Sequence, residues 1–403
     1  MSKDDQAPDE SHPLGRGVPQ AGVRIANERA VLTLIAMAPG SSNADLARRS
    51  GLGPQTTSRI IADLEERGLI MRGQVLRGRR GQPATPLFIN PQGAYAIGVE
   101  IGWRHLQIVL LDFSGSMLAS ERRHYDYPDA TRVFAELTAS IAAMTAALTP
   151  LQRQRIVGVG VATPTTIGRN QALQTTDPSQ EALWRSIDIA TRVASDTGLF
   201  ADWFNDGSAA CWAEVLAHPA PRPQGFAYFQ VGTYTGAGIV ADRRLWEGPT
   251  GNAANLGAIM VTDRNRDPTY VYLVASIVAL ERWLHAAGVP VPQGSPQDWD
   301  WAALEPHADL WIDDAGRALA SALISTQAIV ELEQVAIDGI MPRPIVERLL
   351  ERVQHHLSLL PKLSTARPLV TIGRLGASAG AIGAAQLLVY KRHFSRTWSH
   401  FGT

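Results

Sequence analysis

Residues 41–70 read SSNADLARRSGLGPQTTSRIIADLEERGLI, and their apolar spacing predicts two short helices joined by a tight turn. Ser42 or Asn43 is placed to cap the first helix, which carries Leu46 and Ala47 inward. Ser50-Gly51-Leu52 makes the turn, and Pro54, at a position where a missing N–H is harmless, starts the second helix. That helix buries Thr57, Ile60, Ile61 and Leu64 and presents Gln55, Thr56, Ser58 and Arg59 near its N-terminus. Thr57 is assigned twice, to the buried face and to the outward run 55–59.

The flanks complete a unit over residues 21–90. A helix from Val23 to Met37 precedes the pair and ends at Pro39-Gly40. After Gly68, Leu69-Ile70-Met71 begins a strand; VLRGRRGQPATPLFIN then reads as a hairpin with its tip at Arg77–Pro83 and a return strand at Leu87–Asn90. A helix pair followed by a basic hairpin is the plan of a winged helix-turn-helix. Gln55, Thr56, Thr57, Ser58 and Arg59 are residue types that reach base edges and phosphates from a major groove. Arg77, Arg79, Arg80 and Gln82 would follow the backbone or a minor groove. The expected partner is double-stranded operator DNA. The competing reading is a small helical subdomain with a solvated arginine loop.

The whole chain, 403 residues at net charge −1, has no general attraction to nucleic acid, so such contact must be local. Apolar residues at 45% and charged ones at 19% describe an ordinary globular protein. A single cysteine, Cys211, excludes an internal disulfide, and no Cys/His cluster has zinc spacing. The opening MSKDDQAPDESHPLGRG is polar and reads, over residues 1–20, as a disordered tail without the apolar run of a signal peptide. A cytoplasmic protein without a membrane span is expected.

Beyond Pro91-Gln92-Gly93 the pattern changes to strands at 96–101, 107–112 and 117–123, an Ala-rich helix over 131–150, and an apolar strand at 156–162. Two βα units are expected around 200–216 and 227–240, and a last strand at 369–372 leads into a helix at 379–392. Residues 288–315 read as a surface loop or insertion, while apolar helices at 270–286 and 318–340 would serve either a dimer face or the core.

Arg24-x-x-Asn27, the helix pair and GRRGQP together resemble the head of the ROK family of sugar-responsive repressors and sugar kinases. The resemblance runs through most of residues 22–390. It implies an α/β architecture for 94–403: the two-lobed, actin-like, ribonuclease H-like fold of sugar kinases, serving effector binding and oligomerisation. The family's first phosphate motif, Asp-x-Gly-x-Thr, stands here as Glu100-Ile101-Gly102-Trp103-Arg104. Its second appears as Gly232-Thr233 and Gly236-Ala237-Gly238. A bulky Trp103 is ill suited to a cradle of backbone N–H groups, so no nucleotide cofactor is expected.

The sugar loop corresponds to Thr163-Pro164-Thr165, and the family's Asn-Asp pair to Asn205-Asp206, whose Asp is the family's catalytic base. Here Asp206 is read as vestigial, and no catalytic residue is assigned. Asn205 and Asp206 would equally well cap the following helix. Where the family has Gly-Glu-x-Gly-His and a zinc-binding Cys cluster, this chain has Ala254-Asn255-Leu256-Gly257-Ala258 and then no cysteine or histidine through Ser276. Structural zinc has no ligands there. Tyr272 falls near another sugar-contacting position, and Trp203 or Trp246 would stack on a ring. The implied effector site is therefore Pro164, Thr165, Asn205, Asp206, Asn255 and Tyr272, for a sugar or sugar derivative.

Three functions compete: a ligand-responsive repressor acting as a homodimer or homotetramer, an active sugar kinase with an added head, and an effector-independent DNA-binding oligomer.

Overall fold

A computed structural model describes residues 20–74, 85–168, 177–361 and 366–395. The tail at 1–19 and the hairpin tip with Arg77, Arg79, Arg80 and Gln82 lie outside the described residues.

The head comprises α1 (Gln20–Met37), α2 (Asn43–Ser50), α3 (Pro54–Glu66), β1 (Ile70–Arg72) and β2 (Leu87–Ile89). Ser42, not Asn43, caps α2: Ser42 and Asp45 satisfy each other's backbone N–H groups in a capping box. Gly51 ends α2 at φ 70°, a conformation that suits glycine. The strands pair antiparallel as a wing, Ile70 opposite Ile89.

The first lobe contains β3 (Tyr95–Ile101), β4 (His105–Asp112), β5 (Met117–His124), α4 (Ala130–Ala146), α5 (Pro150–Gln154), β6 (Ile156–Thr163), α6 (Pro178–Ser186), α7 (Ile189–Thr197) and β7 (Ala201–Asn205). The second contains α8 (Asp206–Ala217), β8 (Phe226–Val231), β9 (Thr235–Ala241), β10 (Arg244–Leu245), β11 (Met260–Thr262), β12 (Pro268–Tyr270), α9 (Val271–Val274), α10 (Ile277–Ala286), α11 (His307–Gln327), β13 (Gln334–Gly339), α12 (Arg343–Leu359), β14 (Leu369–Ile372) and α13 (Ala379–His393).

Each lobe is built on a five-stranded sheet, ordered β5-β4-β3-β6-β7 in one and β10-β9-β8-β13-β14 in the other. The two orders are the same topology twice, with an antiparallel meander followed by parallel strands. Strand alternation sorts the cores. Tyr95, Ile97 and Val99 face α4 and α7, whereas Ala96 faces α13. Phe226 and Tyr228 face α8, whereas Ala227 and Phe229 face α11 and α12.

The helices α8 and α13 cross between the lobes, and α13 lies so close to the first sheet that only glycine fits beneath it. A Cβ on Gly98 would stand 1.9 Å from the Ala381 carbonyl oxygen, and one on Gly160 2.1 Å from that of Ala384. The head is not a separate bead. Its core, Val31, Leu34, Ile35, Leu46, Ile61 and Leu64, runs without a break into that of the body through Leu69, Phe113 and Phe394.

Several expectations are corrected. Residues 227–240 are a β-hairpin, not a βα unit, because the tight turn at Gly232–Tyr234 returns the chain antiparallel beside β8. Residues 318–340 are the end of α11 followed by β13. The 288–315 segment is no simple loop: Trp299, Trp301 and Trp311 are buried, and its last third is helical. The helix of 131–150 stops at Ala146, and a second starts at Pro150. The 270–286 helix is broken at Ala275-Ser276, where Ser276 caps α10. No helix among the described residues is long and apolar enough to cross a membrane.

Candidate ligand cleft and nucleic-acid interface

The outward face of α3 carries Gln55, Ser58 and Arg59 exposed and Thr56 partly exposed. Thr57 does not belong there. It is fully buried and its hydroxyl donates to the Gly53 carbonyl at 3.2 Å, so its place in the predicted DNA-contacting set is withdrawn. Ser58 accepts from Asn43 Nδ2 at 2.7 Å, tying α2 to α3. Other arginines of the head are held by carboxylates: Arg24 and Arg67 by Glu28 and Asp63, Arg48 by Asp45, and Arg72 by Glu65. Arg49 and Arg59 are exposed and have no ion-pair partner among the described residues. Arg49 is not foreseen in the sequence because it lies on α2, the first helix of the pair, outside the reading helix.

In the body, β6 and β7 deliver two loops to one edge. Pro164, Thr165, Asn205, Asp206, Asn255 and Tyr272, scattered over more than a hundred positions, all line a cleft of about 380 Å³ with Gly236. Asn205 caps α8 as foreseen, Oδ1 accepting from the Ser208 N–H at 3.0 Å, while Nδ2 lies 3.4 Å from Thr165 Oγ1. Thr165 in turn donates to Asn252 Oδ1 at 2.7 Å.

Asp206 Oδ1 accepts from the Gly207 N–H at 2.8 Å and from Asn205 Nδ2 at 3.1 Å; Oδ2 has no partner among the described residues. Burial, and then the charge of Glu100, push its carboxyl up to about 7. Glu100 itself is buried. Burial opposes its ionisation, but His105, whose Nε2 lies 3.2 Å away, and Arg122 outweigh this and hold it below the ordinary range.

The tryptophans expected at the cleft do not line it. Trp203 donates its indole N–H to Thr163 Oγ1 at 2.7 Å and packs under the 248–255 loop, and Trp246 lies outside the cleft. Trp103, Tyr234 and Tyr272 line the cleft instead. Trp103 meets Tyr234 edge-on at 5.4 Å, and Tyr234 meets Tyr272 at 6.1 Å. The available signal in the sequence is a tryptophan just after a glycine turn, which serves here as a wall of the cleft.

Both glycine turns make hydrogen bonds within the protein. Trp103 fills the turn after Gly102, whose N–H is taken by the His105 carbonyl at 2.8 Å. The carbonyls of Gly232 and Thr233 accept from the first N–H groups of α10, Ile277 and Val278, so that turn serves as a helix cap. The segment after Ala258 is the β11–β12 hairpin, closed by Asp263 Oδ1 accepting from the Asn265 and Asp267 N–H groups.

Residues 96–391 match the ROK family, and residues 26–71 match the winged helix-turn-helix DNA-binding family. An uncharacterized protein of Sinorhizobium fredii, y4fQ, is 28% identical over 94% of each chain. The xylose repressor of Bacillus spizizenii is 22% identical over 60% of this chain and 62% of its own length, just under two thirds. A crystal structure of a ROK family transcriptional regulator, a homologue of the E. coli MLC protein, has the same fold: TM-score 0.68 over 92% of this chain and 97% of that one, at 21% identity. The chain belongs to the ROK family and, with a winged helix-turn-helix ahead of the family domain, is a DNA-binding transcriptional regulator of the ROK type.

Proposed function

We propose that residues 21–90 read operator DNA as part of a dimer, and that an uncharged sugar held in the body, residues 94–403, sets how tightly they do so. The observation that carries this is the lining of the 380 Å³ cleft. Aromatic rings (Trp103, Tyr234, Tyr272) face amides and hydroxyls (Thr165, Thr166, Asn205, Asn252, Asn255), with one carboxylate and no cationic side chain among the described residues. Aromatic faces receive the C–H face of a sugar ring, and Asp206 accepts from its hydroxyls. A phosphorylated or acidic sugar would find no counter-charge. Relatives named as repressors, and the unbroken core between head and body, support coupling of the cleft to DNA.

The first glycine turn, filled by Trp103, favours sensing over phosphoryl transfer. A second reading keeps one observation on its side: Asp206, the family's base, is present and poised near neutrality. An ADP-release assay over a panel of neutral sugars separates the two. Sugar binding by thermal shift without ADP release supports the sensor; turnover lost in Asp206→Asn restores the kinase.

A further inference from the structure

Head and body meet around a cavity of about 310 Å³ that shares no lining residue with the sugar cleft. The head supplies Ala36 near the end of α1 and Phe88 of β2. The body supplies Phe113 from the β4–β5 turn, Leu216 of α8, and Tyr390 and Phe394 at the end of α13. Four aromatic rings thus line a space at the lower end of the range of small-molecule pockets.

A dry apolar void needs no occupant, but two polar side chains at this one lack a proper partner. Gln386 of α13 has its amide oxygen buried and without a hydrogen-bond partner. Buried polar atoms left open are uncommon in folded proteins and call for an explanation. Arg222, in the loop after α8, has no carboxylate within ion-pair distance among the described residues. Its Nε and Nη2 donate to the Leu216 carbonyl at 3.3 and 3.1 Å, while Nη1 rests on the Met37 thioether at 2.8 Å. A thioether is a weak acceptor, so that nitrogen stands to gain from a stronger one. Asp112, the other charged group at the cavity, is engaged in its own turn. Its Oδ1 accepts from the Ser114 and Ser116 N–H groups, both at 2.9 Å, and from the Ser114 hydroxyl at 2.7 Å.

We propose that this seam is a second small-molecule site, for an aromatic carboxylic acid that also carries a hydroxyl or N–H donor. The ring lies among the aromatic walls, the carboxylate replaces the Met37 thioether as acceptor for Arg222, and the donor meets Gln386 Oε1. An acid without a ring would leave the apolar walls uncovered, and a ring without the acid would leave the guanidinium on a thioether. The ligand is the opposite of the one in the cleft, apolar and anionic rather than hydroxylated and neutral, and its binding does not depend on sugar. Because α1 and the wing form one side of the cavity and α13 another, an occupant bridges the DNA-reading head to the helix that crosses between the lobes.

The test uses the full chain in calorimetry and thermal shift, with 4-hydroxyphenylacetate and indole-3-acetate, and with 4-methylphenol and 3-methylindole as counterparts lacking the carboxylate. The expected result is saturable, submillimolar binding of at least one acid, about tenfold or more tighter than its counterpart and weakened about tenfold or more in Arg222→Gln. Arg222 also braces the Leu216 carbonyl, so Gln386→Leu keeps the test decisive if Arg222→Gln fails to fold. That variant removes an unpartnered oxygen, should melt no lower than the parent, and should weaken the acid about threefold or more. No submillimolar binding of either acid, binding that the counterparts match, or binding unchanged in either folded variant overturns the proposal. Binding lost in Asp206→Asn would place the acid in the sugar cleft and overturns it too.

Discussion

Arg104, in the turn between β3 and β4, holds Glu281 on α10 of the opposite lobe through hydrogen bonds of 2.5 and 2.9 Å. One residue earlier, Trp103 meets Tyr234 across the same junction. An ion pair and an aromatic pair, side by side in sequence, thus clasp the lobes next to the cleft. Because the ion pair is bidentate and mostly shielded, it should contribute about 1–2 kcal/mol. A double-mutant cycle with Arg104→Gln and Glu281→Gln, followed by denaturant unfolding, should return a coupling of that size. A coupling near zero would remove the clasp from the account.

Asp206 gives a pH signature. Its carboxyl, ordinarily near 3.8, is raised to about 7 in the fold, so the folded chain binds a proton that the unfolded chain has lost over that interval. Stability from this group is therefore full below about pH 4 and lost as pH rises through about 7. Glu214, buried and accepting from the Arg374 and Leu375 N–H groups, is also raised to about 7 and adds the same trend. The chain should melt at a lower temperature at pH 8 than at pH 6.5. Asp206→Asn should flatten that difference and melt higher at pH 8, while losing the shift induced by a bound sugar. An unchanged pH profile in Asp206→Asn would contradict the assignment of burial as the cause.

On α2 and α3 the prediction separates neighbours. Arg59→Ala and Arg49→Ala should each weaken DNA binding by about 1–3 kcal/mol; where the contact is to phosphate, the log–log salt slope falls by about one. Thr57→Ala should leave that slope alone and instead cost about 1 kcal/mol of head stability, because its buried hydroxyl holds the Gly53 carbonyl. Salt titrations by fluorescence anisotropy check the first pair, and thermal unfolding checks the third.

Coupling between head and body should run through the C-terminal seam. Phe394 is buried, stacks on Phe113 at 5.4 Å and lies against Tyr390 at 4.7 Å; the next residue, Ser395, donates its N–H to Thr33 of α1 at 2.9 Å. Phe394→Ala should cost about 3–5 kcal/mol. It should leave DNA affinity nearly intact while abolishing the effect of sugar upon it. A variant that still responds fully to sugar would show that the signal takes another route.

Much of this was legible in the chain because local chemistry dictates it. Ser42, Asp45, Gly51 and Pro54 specify the head's helices without help from the body. The predicted cleft residues came together because most sit at strand ends or turns that the two mixed sheets bring to one edge, with Tyr272 added from α9. What stayed hidden depends on tertiary packing. Residues 235–241 are antiparallel because β8 offers a free edge, not because of their own composition. The outer residues of 318–340 become β13 because the space between β8 and β14 must be filled. The duplicated sheet order leaves no repeat in the sequence, since each lobe's alternation admits many apolar residues. Trp103 could be seen, but only the opposing lobe's Tyr234 turns it into a partition.

The most direct test of the central claim is a fluorescence-anisotropy titration of the full chain on duplex DNA flanking its own reading frame, with and without the neutral sugar that gives the largest thermal shift. The account predicts tight, salt-sensitive binding that a scrambled duplex does not reproduce, with an affinity changed about 5- to 150-fold by saturating sugar. Binding that fails to distinguish the native duplex from the scrambled one, or an affinity that no cleft-bound sugar alters, would contradict it.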